Sequence, residues 1–242
     1  MEIFHYTFDW SVLWRSPYGG MLVKGIVTTL HLSLLAWVVA LTLGMVVGVA
    51  RVQPLRWVRF AGGAYVQVFR NTPFLVQLFF WYFAAPLLLP KQDQQWLYDN
   101  VPDYAYWAGV LALGAYTASR VAEQVRAGLL SIPPDQYRAA YASGMTGFQV
   151  YRYVIAPFAL RIMLPPLTTE FLTCFKNSAL AMTIGVMEVT HTAYYIDSFT
   201  WHGLETTSAA SAVYLCIALC IIGLMALTEK RVRIVGMMGR GR

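Results

Sequence analysis

From Gly25 to Ala50 the chain carries no Asp, Glu, Lys or Arg. About 20 apolar residues take an α-helix across the hydrocarbon core of a bilayer, so this run is long enough for one complete span. A second charge-free run extends from Asn71 to Pro90 and is led by the aromatic stretch Phe74–Phe83. A third, Tyr104–Ser119, needs Arg120 or beyond to complete a crossing. Leu164–Val189 is apolar but holds Glu170, Lys176 and Glu188, whereas Thr206–Thr228 is free of charge. The expectation is an all-α polytopic membrane helical bundle, one domain over 1–242, with five spans at roughly 25–50, 62–89, 104–126, 164–189 and 206–228.

Composition agrees. Apolar residues make up 58% and charged residues 12%, with a mean hydropathy of +0.52. That is about half the usual charged share of a soluble globule, too little to cover its surface, and it excludes a disordered chain as well. The net charge of +6 and pI near 9.3 fit a membrane face better than nucleic acid in a chain this apolar. Cys174, Cys216 and Cys220 sit in apolar stretches and are expected to pack in the core, since C-x3-C without His or more Cys is a poor metal signature. His31, His191 and His202 also lack metal-ligand spacing, so no metal site and no catalytic residue are expected.

Lys and Arg placement orients the spans. Arg51, Arg56, Arg59 and Arg70 fall between the first two. Arg120, Arg126, Arg138, Arg152 and Arg161 lie at or between the third and fourth, and Lys230, Arg231, Arg233, Arg240 and Arg242 follow the fifth. These clusters hold 14 of the 18 basic residues and share one face, which puts the N-terminus out and the C-terminus in. No secretory signal peptide is visible, because the first residues lack a basic region and the first apolar run is too long. The aromatic stretch Phe4–Trp14 suits either the outer interface or an irregular tail.

The segment 127–161 is too long for a bundle connection of about 2–8 residues, and it has internal order. Ser131-Ile-Pro-Pro-Asp-Gln136 reads as a helix start, with prolines confined to the first turn and an early Asp suiting the dipole. Gly144 is placed to stop that helix. Thr146-Gly-Phe-Gln149 fits a capping box opening a second short helix, which Pro157 closes.

Arg138-Ala139-Ala140, then Gly144, then Val154-Ile-Ala-Pro157 resembles the E-A-A-x3-G-x9-I-x-L-P loop of bacterial ABC importer permeases. Phe69–Gln77, Ala122–Pro133 and Phe175–Leu180 match the same family in order and spacing, from about residue 20 onward. The chain is similar to the polar amino acid permeases (histidine, glutamine and glutamate type) and looks most like the glutamate/aspartate members. It departs from the pattern in four places: Arg138 stands for the usual Glu, Ala156 for Leu, Gln67 for Glu and Asn71 for Gly. The resemblance implies a multi-pass protein of the bacterial inner membrane that forms half of a translocation pathway, binds no cofactor and does no chemistry. It also implies a second permease subunit, identical or paralogous, two ATP-binding subunits that supply ATP hydrolysis, and an extracytoplasmic substrate-binding protein. Arg138, Ala139, Ala140, Gly144 and Pro157 would shape the loop that docks into the ATPase. None of Lys24, Lys91, Lys176 and Lys230 completes G-x4-G-K-[ST], so the chain shows no ATP-binding loop of its own.

Ionisable groups inside spans are candidate pathway residues. Arg120 occupies a place where the family usually carries an aromatic. Its planar fork either holds a substrate carboxylate or snorkels to the inner interface. Lys176 and Asn177 lie in the fourth span. Lys176 contacts a substrate carboxylate or serves structure and gating, and it does not share a helix face with Glu170. Arg70 gates or snorkels at the inner end of the second span. Glu170 and Glu188 are expected near helix ends.

A secondary transporter or channel for a small polar solute shares the intramembrane charges but has no need of the loop. A membrane enzyme would need a nucleophile–base or metal constellation, and neither Gly-x-Ser-x-Gly nor His-Glu-x-x-His is present. The topology is directly testable. A reporter active only outside the membrane should be active when fused near Asp99 and silent near Gln136 or after Arg233. Activity at Gln136 contradicts the five-span arrangement.

Overall fold

The computed structural model describes residues 6–232, and among them every regular element is helical. Phe4 of the aromatic stretch and Arg233, Arg240 and Arg242 of the last basic cluster lie outside the described residues. The helices are α1 (Tyr18–Ala50), α2 (Arg56–Asn71), α3 (Phe74–Phe79), α4 (Lys91–Asn100) and α5 (Tyr104–Leu130). They continue as α6 (Pro134–Ala142), α7 (Gly147–Gln149), α8 (Ala156–Asn177), α9 (Val189–Thr200) and α10 (Gly203–Val232). The chain forms two compact units. One gathers residues up to 38, 73–114 and 173–218; the other gathers 39–72, 115–172 and the stretch from 219.

In the first unit Leu32, Leu78, Leu113, Phe175 and Ile196 are fully buried. Its polar anchor is Glu188, also fully buried, which caps α9 by accepting from the Thr190 and His191 N–H groups at 2.9 and 2.7 Å. The Tyr214 hydroxyl donates to the same carboxylate at 2.7 Å and Thr29 Oγ1 lies at 3.4 Å. Those donors offset the desolvation of a buried carboxylate. Residues 10–13 form a 3-10 turn capped by Asp9, whose backbone N–H donates to Glu205 at 2.7 Å, and the Tyr6 hydroxyl donates to that same carboxylate. The aromatic stretch is therefore tied down from Tyr6 onward, with Val12 and Leu13 buried and Trp14 exposed. The Ser11 hydroxyl, donating to Asp9 at 2.5 Å, holds the Asp9 carboxyl below its ordinary value.

In the second unit α1 and α5 meet through small residues. A β-carbon on Gly44 would lie 2.6 Å from Val121, and one on Gly48 would lie 2.5 Å from Val125 and 2.9 Å from the Ala122 carbonyl. The Tyr65 hydroxyl donates to the Ala115 carbonyl at 2.6 Å and ties α2 to α5. Glu123 accepts from Arg126 at 2.5 Å and also from Arg51 at the end of α1.

Four expectations are corrected. The segment 62–89 is not one continuous helix: α2 stops at Asn71, Thr72 and Pro73 are extended, and α3 restarts at Phe74 and runs on through π and 3-10 turns to Leu88. Proline drives its predecessor out of the helical region and offers no N–H of its own. Pro157 does not close a helix. Val150–Ile155 is a π-helical stretch leading directly into α8, whose second residue is Pro157; the wider i→i+5 winding accommodates the missing N–H. The fourth span does not reach Val189, because the 3-10 turn after α8 ends at Ile184 and Gly185 (φ +89°) reverses the chain. Cys174 is buried as expected, but Cys216 and Cys220 are exposed on α10, which is largely uncovered in a single chain.

Helices Tyr18–Ala50 and Gly203–Thr228 are long and apolar enough to cross a membrane unaided. α5 and α8 have the length but carry charges, and Phe74–Leu88 is apolar but shorter.

The close α1–α5 approach gives a stability test. Gly48→Ala should destabilise the purified protein by about 2 kcal/mol, because the new carbon forces the two helices apart. Gly63→Ala, where no atom lies within 4 Å of the added carbon, should be neutral or stabilising by about 0.5 kcal/mol. Thermal unfolding of both variants in one detergent reads the difference.

Candidate functional site

Arg120 lies on α5 in the second unit, where an Ala- and Leu-rich sequence sustains a long helix. Its Nε donates to Glu170 Oε2 at 2.5 Å and its Nη2 to Oε1 at 3.4 Å. Gln124, one turn along α5, donates to the same Oε1 at 3.3 Å. The Glu170 side chain is only 6% exposed and that of Arg120 33%. A buried carboxylate costs several kcal/mol unless it is paired and hydrogen-bonded, and here it is both. Glu170 is not at a helix end as expected, since α8 begins at Ala156 and places it in the interior. The guanidinium carries five N–H donors. Glu170 takes the side bearing Nε and Nη2, and the guanidinium also donates to the Tyr116 hydroxyl one turn back on α5.

The other expected pathway residues are placed as follows. Arg70 is exposed in the last turn of α2, in the second unit, where a cation complements the helix dipole. Lys176 is exposed in the last turn of α8 in the first unit, and no ion pair to it occurs among the described residues. Asn177 follows it, half-buried, at the start of the 3-10 turn. Two of the histidines have ordinary partners: His31 shares a 2.5 Å hydrogen bond with the Tyr106 hydroxyl, and His191 Nδ1 lies 3.2 Å from the Val186 carbonyl.

The 127–161 segment forms a helical hairpin in the second unit. Pro133 precedes α6, Pro134 opens it and Asp135 lies in its first turn, as the sequence indicated. Gly144 has φ +81°, and the Gly144 and Met145 N–H groups bond back to the Tyr141 and Ala140 carbonyls at 3.0 and 3.3 Å, closing a Schellman motif. The Thr146/Gln149 capping box is present in both directions. Ala140 is buried against the hairpin while Ala139 and Arg138 are exposed, and Arg138 reaches Asp135 at 3.4 Å. Phe148, Tyr151 and Tyr153 project into the open beside it. A cavity of about 350 Å³ lies beneath, lined among others by Val49, Gln53, Leu129, Tyr137 and Tyr141.

Glu170 and Gln124, the partners of Arg120, are the residues that sequence reasoning missed. A signal was available: two opposite charges on apolar helices require one another. It was masked by starting the fourth helix at Leu164 instead of Ala156.

The model of the binding-protein-dependent transport system inner membrane component family matches residues 40–234. The glutamate/aspartate import permease protein GltJ of Escherichia coli K12 is 38% identical over 96% of this chain and 99% of its own length. The octopine transport system permease protein OccM of Rhizobium radiobacter is 33% identical over 92% and 89%. A crystal structure of an amino acid ABC transporter with histidines superposes with a TM-score of 0.80 at 31% identity, covering 93% of this chain and all of that one. The α6–α7 hairpin, the helical architecture and these matches place the chain in the binding-protein-dependent transport system inner membrane component family, among the ABC permeases of polar amino acids.

Proposed function

We propose that this chain is half of the translocation pathway of a glutamate/aspartate importer in the bacterial inner membrane, crossing it five times with the N-terminus out and the C-terminus in. It binds no cofactor. The hairpin around Arg138, Ala139, Ala140, Gly144 and Pro157 docks on a separate ATP-hydrolysing subunit. A second permease, identical or paralogous, completes the pathway, two ATPase subunits drive it, and an extracytoplasmic binding protein delivers the substrate.

The observation that carries the substrate class is Arg120, a guanidinium that stays partly exposed although it is anchored on the buried Glu170. A planar fork suits a second carboxylate, the feature that separates glutamate and aspartate from their amides. The 38% identity to a glutamate/aspartate permease points the same way. Lys176 and Arg70 are assigned to the pathway as well, because an exposed cation on a membrane helix needs water or a partner beside it, and Asn177 joins them as the polar residue next to Lys176.

The test is ATP-driven uptake of labelled glutamate, aspartate and glutamine by the reconstituted complex. Arg120→Lys keeps the charge without the fork, and should raise the KM for the two acidic substrates about 10-fold while eroding the preference for glutamate over glutamine. Unchanged preference removes Arg120 from substrate discrimination. Uptake that survives loss of the ATPase subunits overturns the importer itself. Gly144→Asp should separate docking from insertion. The complex should reach the membrane with normal abundance but lose most ATP-coupled uptake, because a left-handed turn that glycine adopts freely is strained for Asp. Normal coupling in that variant excludes the hairpin as the docking element.

A further inference from the structure

We propose that Glu170 is a positioning residue for substrate selection: by taking the Nε–Nη2 side of Arg120 it fixes the guanidinium with its exposed part toward the substrate's side-chain carboxylate. The inference rests on the reading of Arg120 as the acidic-substrate ligand and adds a residue and a geometry to it.

An arginine side chain has several rotatable bonds and, left alone in an apolar helix, wanders toward water. Here its Nε, the donor nearest the chain, is fixed at 2.5 Å from Glu170 Oε2. The longer 3.4 Å contact from Nη2 to Oε1 orients the plane of the group without saturating it. Glu170 is itself immobilised, because it is almost fully buried and Oε1 also accepts from Gln124 at 3.3 Å. Burial is asymmetric across the pair, 6% for the carboxylate and 33% for the guanidinium, so the accessible partner is the cation. An ion pair serving stability alone needs no such asymmetry. One that orients a ligand-binding cation needs a sunken anchor and an exposed cation. Paying the orientation before the ligand arrives is the general route by which a fixed group gains affinity.

Glu170 also neutralises Arg120, and that makes a competing role distinguishable. If Glu170 merely rivals the substrate for the guanidinium, removing its charge tightens binding. If it positions Arg120, removing the fork weakens binding.

The experiment measures binding of labelled glutamate to the purified complex of this chain with its second permease and ATPase subunits, in detergent and without the delivering protein. Glu170→Gln should raise the Kd about 10-fold in a complex that still co-purifies with all of its subunits. In the double variant Arg120→Gln/Glu170→Gln the Kd should equal that of Arg120→Gln alone, because a residue acting only through Arg120 has no effect once Arg120 is gone. Additive losses identify a purely structural pair and overturn the proposal. A lower Kd in Glu170→Gln identifies a competitor and overturns it as well. An unchanged Kd in Glu170→Gln beside a raised Kd in Arg120→Lys sinks the positioning role and leaves Arg120 as ligand. Unchanged binding in both, or none by the wild-type complex, removes the ligand reading on which it stands. Should Glu170→Gln fail to assemble, Glu170→Asp retains the charge on a shorter arm. It should raise the Kd about threefold, and no rise is decisive against the proposal.

Discussion

Charges on apolar helices must be compensated where they stand, because neither hydrocarbon nor a packed protein interior solvates them. This requirement organises both units. In the second, Glu170 is met by Arg120 and Gln124, and Glu123 by Arg51 and Arg126, so the carboxylates also fasten α5 to α8 and to the end of α1. In the first, no cation among the described residues reaches Glu188; two backbone N–H groups and two hydroxyls serve it instead, which ties α9 to α1 and α10. The same chemistry is handled two ways. One leaves a guanidinium partly open, and the other is sealed.

Much of this was legible in the residues. The run from Gly25 to Ala50 and that from Thr206 to Thr228 are helical because nothing in them interrupts an apolar span. The hairpin could be read almost residue by residue, since Pro134, Asp135, Gly144, Thr146 and Gln149 each act on the backbone within a few positions. Local rules suffice where the determinant is local.

What was not legible depended on the backbone resolving a conflict. Counting charges across 62–89 detects hydropathy and overlooks Pro73, which interrupts the helix without changing its polarity. Pro157 misled in the opposite direction, because the π-helical stretch ahead of it absorbs the defect that would otherwise end the helix. The apolar run after Arg161 begins at Leu164, whereas α8 begins at Ala156, so hydropathy alone puts Glu170 closer to the start of its helix than it is. With Glu170 misplaced, the partner of Arg120 was hidden too. The site was thus half visible: its cation from its oddity in the family, its anchor only from the fold.

The glycines carry a last consequence. At Gly48 the obstacle to a side chain is volume, because the added carbon must compete with Val125 and the Ala122 carbonyl for space. At Gly144 nothing lies within 4 Å of the added carbon, and the only obstacle is φ of +81°. That dihedral is the mirror image of one that ordinary residues prefer. The turn at the tip of the hairpin therefore discriminates by backbone handedness and not by crowding around the added carbon. A D-alanine introduced there by chemical synthesis would adopt that dihedral without the backbone strain that its L-enantiomer meets.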